Sequence, residues 1–242
     1  MLSEGVTAAR SVTDRVLAVM PRVAYRRATT SPELEAIYRL RYDAYRREQA
    51  LEERDSRRLD DKFDGDKNAY QLGVFLDGQL ASCFRIHIAT AAQCSSPAVD
   101  NFPDILVDEL SKGKIIVDPN RFIVDFASSR AVPELPYITL RLAYMAAQHF
   151  NADLVTATVR KEHQAFYRRE LLMHPVCPPR PYPTLTKLIG LMMIDFKATG
   201  ADILKRRPFY DSQPHERAPL FAPREEPVRL SPELRDHEVH HL

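Results

Sequence analysis

YQLGVFLDGQLASCFRIHI, Tyr70 to Ile88, is the stretch that decides the fold. Two apolar runs are split by Asp77-Gly78, a pair that accepts the left-handed backbone of a two-residue turn, so the stretch predicts a β-hairpin. In its second arm Phe84, Ile86 and Ile88 fall on one face, and Cys83, Arg85 and His87 on the other. One face is core, and Arg85 faces something polar. Downstream, Ile115 to Asp125 predicts a strand, Leu135 to Phe150 an amphipathic helix, Leu154 to Val159 a strand and Gln164 to Leu171 a short helix. Upstream come a helix near Ser11 to Met20, a strand at Val23 to Thr29, and SPELEAIYRLRYDAYRRE, a helix with Ser31 as N-cap and Pro32 in its first turn. A β-α-β-α unit built onto a hairpin gives an α/β mixed sheet, and its parallel strand pair is the natural place for a cleft.

The chain of 242 residues can bury one full core. Lys and Arg (34) nearly cancel Asp and Glu (33), so no global field favours nucleic acid. Cys83, Cys94 and Cys177 are odd in number and form no CxxC pair, which suits a reducing cytoplasm. No apolar run approaches the roughly 20 residues of a transmembrane helix. Eleven of the 18 prolines lie in residues 175–242. The expected division is therefore a helical segment at 1–22, a core at 23–177, and a Pro-rich extension at 178–242 that packs on the core and ends in a loose tail.

Four polar constellations could converge. Arg41 falls on the apolar stripe Leu34, Ile37, Tyr38 and Tyr45, where a buried guanidinium needs carboxylate partners. In LDDKFDGD, Asp61 and Asp64 stand three apart, close enough to share a cation. Arg85 occupies the polar face of its strand. In IIVDPNRFIV, Asp118 and Arg121 would point oppositely on a regular strand, but Pro119 predicts a bulge that re-aims them. Two other patterns carry no chemistry. HEVHH at His237–His241 satisfies H-E-x-x-H but ends one residue before the last, with no third ligand. Cys83 and His87 on one strand stand roughly 13 Å apart, too far to act as a thiol and its base. No metal site is expected.

These residues resemble the GNAT N-acyltransferase superfamily, in the branch of autoinducer (acyl-homoserine lactone) synthases and long-chain N-acyl amino acid synthases. RLRYDAYRRE is similar to that branch's Arg-x-x-Val-Phe/Tyr motif through Arg41 and Tyr45. LDDKFD resembles its Asp-x-x-Asp element through Asp61 and Asp64, FRIHI its hairpin arginine through Arg85, and VDPNRFIV its Glu-x-x-Arg strand through Asp118 and Arg121. HQAFYRRELL is similar to the helix after the fifth strand, which makes Tyr167 the tyrosine near the thioester sulfur. RRPFYDSQPHERAPLF, after PYPTLTKLIG, resembles the N-acyl amino acid synthases in particular. The chain has no Trp, carries Leu59 where lactone synthases have Glu, and has no glycine between Gly113 and Gly190 to build a pyrophosphate loop.

The resemblance implies a twisted mixed sheet whose splayed parallel strands form an acyl-thioester cleft. It also implies transfer of a fatty acyl group to the amine of an amino acid or similar acceptor, with no tightly bound cofactor. The donor is a phosphopantetheine thioester on acyl carrier protein or coenzyme A. A lactone synthase using S-adenosylmethionine and a non-catalytic acyl-binding module are the alternatives. Asp118, Asp61 or Asp64 would accept the amine proton. Arg41, Arg85 and Arg121, with Tyr45, would hold those acids and the acceptor, and Tyr167 would protonate the leaving thiolate. Ser128, Ser129 and Arg130 could bind one donor phosphate. Arg160, Lys161, Arg168 and Arg169 would dock an acidic carrier protein.

Overall fold

The hairpin forms around Asp77-Gly78. In the computed structural model, which describes residues 10–182 and 185–223, β2 (Ala69–Leu76) and β3 (Gln79–Ala89) run antiparallel with Leu76 opposite Gln79. Asp77 (φ 49°) and Gly78 (φ 84°) supply the two left-handed residues that a type I′ turn requires. β1 (Val23–Arg27) pairs antiparallel with β2, and β4 (Ile116–Val124) with β3. β5 (Leu154–Val159) lies parallel to β4. Beyond it come β8 (Leu185–Asp195) and β6 (His174–Pro175), with β7 (Arg180–Tyr182) also on β8. The result is an eight-stranded mixed sheet of order β1-β2-β3-β4-β5-β8-β6, off which β7 branches.

Helices cover both faces: α1 (Val12–Val19), α2 (Ser31–Arg47), α3 (Pro97–Asn101), α4 (Pro103–Ser111), α5 (Phe126–Ala131), α6 (Leu135–His149), α7 (Gln164–Leu171), α8 (Phe196–Arg206) and α9 (Pro214–Phe221). The period-two alternation of β3 sorts them. Phe84, Ile86 and Ile88 join the main core with Leu140, Leu142 and Met145 of α6. Cys83, on the other face, packs with Ile37 and Tyr38 of α2. Each fully buried Leu, Ile or Phe contributes roughly 1.5–3 kcal/mol, so α6 is held by its apolar side chains more than by helix propensity.

Two sequence expectations need correction, and two short helices lie where the sequence reading names no element. α2 is capped by Thr30 and not Ser31: the Glu33 carboxylate accepts from the Thr29 and Thr30 amides and the Thr30 hydroxyl, a capping box one residue earlier. The short α3 and α4 open at Pro97 and Pro103 in a stretch without sustained helical periodicity; Phe102 and Leu106 anchor them in a second core with Ile116, Leu154 and Leu191. Nor does residue 177 end the core. β8 pairs with β5 from Leu154–Asp195 to Val159–Gly190, and Ile203, Phe209, Tyr210, Leu220 and Phe221 belong to the main core. Proline density misled because Pro208 and Pro214 sit at helix starts, where a missing N–H costs little, and Pro175 and Pro181 lie in the short strands β6 and β7. Residues 224–242, with the HEVHH pattern, lie outside the described residues.

Candidate active site

α2 carries Arg41 inward on the stripe formed by Leu34, Ile37 and Tyr38, and the side chain is 0 % exposed. Its Nη1 donates to Asp64 Oδ1 at 2.8 Å and its Nη2 to Gln71 Oε1 at 2.6 Å. Asp64 and Asp61 are held by a short turn, Lys62–Gly65, in which the Asp61 amide donates to Asp64 Oδ2 and the Phe63 amide to Asp61 Oδ1. Arg85 bridges both acids, through Nη1 to Asp61 Oδ1 (2.5 Å) and Asp64 Oδ1 (2.7 Å) and through Nη2 to Asp61 Oδ2 (3.1 Å). The two aspartates thus share guanidinium cations. Burial works against ionising either acid, yet Arg85 and Arg121 hold Asp61 well below the usual carboxylate range, and Arg41 and Arg85 pull Asp64 down. Both are therefore anions of low basicity, suited to fixing arginines and poorly suited to taking an amine proton.

The bulge forms at Arg121, two residues after Pro119. Pro119 stays in register opposite Ile86, but Cys83 faces Ile123 and Arg85 faces Asn120, so Arg121 and Phe122 together oppose Phe84. Arg121 takes φ 50°, an uncommon backbone for a side chain of that size. It reaches Asp61 Oδ2 through Nε (3.0 Å) and Nη2 (2.5 Å), and the Tyr45 hydroxyl through Nη1 (3.0 Å). Beside the bulge the parallel strands part, because β4 and β5 pair only at Ile116–Leu154 and Val117–Val155. A cavity of about 530 Å³ opens there. One wall is polar, with Tyr45, Arg85, Asn120 and Arg121; another is apolar, with Phe122, Ile123, Val124, Val159 and Phe166. Tyr167 lines the cavity from α7, and burial raises its phenol above the ordinary range.

Sequence reasoning missed two members of this cluster. Gln71 donates through Nε2 to Asp64 Oδ1 and accepts from Arg41, and it is the one polar side chain in an apolar strand directly opposite Arg85. Asn120 accepts from Arg85 Nε at 2.6 Å while its Nδ2 contacts His87 Nδ1 and donates to the Asp118 carbonyl.

Other expected residues lie elsewhere. Asp118 does not join the arginines: it is 0 % exposed, and its carboxylate accepts from the Ala98 amide and the Thr156 hydroxyl. Burial raises its pKa, with His87 opposing. Its side chain therefore anchors the start of α3. Arg41 is sealed off from the cavity and cannot touch an acceptor. The Ser128 amide and hydroxyl both donate to Asp125, and the Ser129 hydroxyl donates to the Phe126 carbonyl, so a carboxylate already sits where a phosphate was expected. Arg160 lines the cavity paired with Glu48, and Arg169 pairs with Glu170; Lys161 and Arg168 are exposed. Among the described residues no His, Cys, Asp or Glu cluster could hold a metal, and no helix is long and apolar enough to cross a membrane.

The chain matches the family model "N-acyl amino acid synthase FeeM" over residues 36–195, which hold every member of the arginine–aspartate cluster. The structure is similar to that of FeeM, an N-acyl amino acid synthase from uncultured soil microbes. The TM-score is 0.63 at 18% identity, covering 78% of this chain and 99% of that one. It is also similar to BjaI, a CoA-dependent acyl-homoserine lactone synthase solved with SAM and isopentyl-CoA (TM-score 0.56, 16% identity, 82% and 87% covered). TofI, solved with an inhibitor and MTA, gives a TM-score of 0.56 at 17% identity over 78% of this chain and all of that one. No curated protein matches the sequence. Cluster, bulge, splayed strands and family match agree: the chain belongs to the FeeM family of N-acyl amino acid synthases and is a GNAT-like N-acyltransferase, passing an acyl group to an amine.

Proposed function

We propose that the enzyme moves a fatty acyl group from the phosphopantetheine thioester of an acyl carrier protein to the amine of a free amino acid. The observation that carries this reading is Arg121. Three of its five N–H groups are used by Asp61 and Tyr45, so two remain at the polar wall of the cavity, next to the Tyr45 hydroxyl. A carboxylate can accept from both partners. The cluster behind it sets three guanidiniums against two carboxylates and is one positive charge in excess. At about 6 Å and an effective dielectric of about 20, that excess is worth roughly 3 kcal/mol. It attracts the carboxylate of an amino acid and disfavours its ammonium, so the acceptor binds with its amine ready to lose a proton to solvent at the cavity mouth.

The neutral amine then attacks the thioester carbonyl. Main-chain N–H groups along the parted edge of β4, freed from β5, support stabilisation of the oxyanion, because beyond Val117 and Val155 the two strands make no ladder. The tetrahedral nitrogen loses its extra proton to solvent, collapse breaks the C–S bond, and the Tyr167 phenol gives its proton to the departing thiolate and is reprotonated from solvent. Burial keeps the phenol protonated until the thiolate forms, and the same apolar surroundings raise the basicity of that thiolate, which draws the proton as the C–S bond breaks. Asp61, Asp64, Arg41, Gln71 and Asn120 position Arg85 and Arg121, and Asp118 fixes the strand and α3 beside them. Leu59, buried at 6 %, puts an apolar side chain where a lactone synthase carries Glu, which favours a free amino acid over S-adenosylmethionine. The three free cysteines support a reducing cytoplasmic setting. The test is incubation with a panel of acyl-carrier-protein thioesters and amino acids, followed by mass spectrometry of the lipid extract. An N-acyl amino acid is expected; thioester consumption without an amide product would overturn the proposal.

A further inference from the structure

Arg47 and Arg130 come from different elements yet share one ring. The Arg47 guanidinium lies 3.9 Å from the Phe126 centroid and that of Arg130 lies 5.9 Å from it. Phe126 is a large apolar side chain left 45% exposed, and the two arginines are exposed as well. Neither makes a hydrogen bond or salt bridge to another described residue, and Asp125, whose pKa Arg47 helps to lower, is committed to the Ser128 amide and hydroxyl. Two cations gathered at one aromatic ring, with no carboxylate ion-paired to either, form an incomplete site. Their place is the rim of the cavity: Ala44, Tyr45 and Glu48 flank Arg47 on α2, and Val124 at the end of β4 leads into Phe126, all four being lining residues.

We propose that Arg47 and Arg130, steadied on Phe126, bind the phosphate of the donor's phosphopantetheine arm. This rests on the thioester-donor reading above. The usual alternative, the first turn of α6, has nothing to offer. Pro136 lacks an N–H, the Leu135 amide donates to Val132, and the Tyr137 and Ile138 amides both donate to the Glu134 carbonyl. The Ser128 and Ser129 groups are engaged as described. Lys161 and Arg168, also exposed, have no contact that orients them, whereas the Phe126 ring holds its two guanidiniums beside the opening. Guanidiniums suit the phosphate, since their paired N–H groups match its oxygens and their planes can stay stacked on the ring.

The test is equilibrium binding of two unreactive thioethers with the same alkyl chain, one on pantetheine and one on 4′-phosphopantetheine. The wild-type enzyme is expected to prefer the phosphorylated compound by about tenfold or more, a preference that shrinks with added salt. In Arg47→Ala/Arg130→Ala, with the same melting temperature as wild type, that preference collapses toward one. Arg47→Lys/Arg130→Lys keeps part of it. Acyl-carrier-protein and coenzyme A donors carry the same 4′-phosphate on pantetheine, and both are expected to bind less tightly in the double alanine variant. No preference in the wild type, full preference in the double alanine variant, or a loss confined to the carrier protein or to coenzyme A would overturn the assignment. Because binding needs no acceptor, that outcome is distinct from failure of acyl transfer itself.

Discussion

Replacing Asp61 by asparagine should cost both stability and activity, and the structure sets the size of the effect. Among the described residues Asp61 is the only carboxylate that touches both Arg85 and Arg121, with four contacts between 2.5 and 3.1 Å. Asparagine keeps one acceptor oxygen but turns an NH₂ group toward a guanidinium. Breaking a fully buried pair costs about 3–5 kcal/mol; the Asp61 side chain is 22% exposed, so water recovers part of this and about 2–3 kcal/mol remains. In a chain of this size that lowers the melting temperature by roughly 5–10 °C. The pH dependence has a defined sign. Arginine contacts hold the folded-state pKa below its unfolded value, so the stabilisation is complete above the ordinary carboxylate range and is lost as pH falls through the folded pKa. Urea unfolding of wild type and Asp61→Asn at neutral pH and at successively lower pH should give a gap that is widest near neutrality and narrows below about pH 4. A neutral-pH gap under about 0.5 kcal/mol, the size of an exposed pair, or a gap that grows on acidification would refute the cluster as described.

Arg41→Met should be more destabilising than Asp61→Asn, by about 3–5 kcal/mol in urea, because both Arg41 and Asp64 are essentially sealed from water. Gly73→Ala should cost about 1–3 kcal/mol, since an added Cβ would meet Phe75 and Leu80 at 2.8 and 2.9 Å; a melt equal to wild type would show that these side chains relax freely. Tyr167→Phe should slow single-turnover transfer from an alkyl thioester by about 10²-fold but much less from an aryl thioester, whose thiolate needs no proton to leave. Equal slowing of both would remove Tyr167 from the role of acid.

The hairpin and the β4-α6-β5-α7 unit were legible because alternation, a turn dipeptide and helical periodicity all act locally. Arg41 announced itself as a charge on an apolar stripe, and Asp61, Asp64 and Arg85 as its company. What the pattern could not supply was direction in space. Pro119 signalled a bulge, but the extra residue is accommodated at Arg121, where a positive φ turns the side chain toward Asp61 and away from Asp118. Asp118 and Arg121 are neighbours in sequence whose carboxylate and guanidinium serve different partners. The phosphate reading of Ser128 and Ser129 failed for a related reason: Asp125 competes for their donors as an N-cap, a local interaction that was visible as Asp-x-x-Ser. β8 escaped although Leu188–Ile194 is a conspicuous apolar run, because a short run without alternation does not tell a buried strand from a buried helix.

The most direct test of the account is the acceptor's carboxylate. With one acyl donor, initial rates should be compared for an amino acid and its carboxamide, in the wild-type enzyme and in Arg121→Gln. The wild type is expected to favour the free acid by about tenfold or more, mostly through KM, and Arg121→Gln is expected to lose that preference while keeping residual turnover of the amide. Equal rates for acid and amide in the wild type, or an undiminished preference in Arg121→Gln, would contradict the claim that this cluster is built to hold an amino acid.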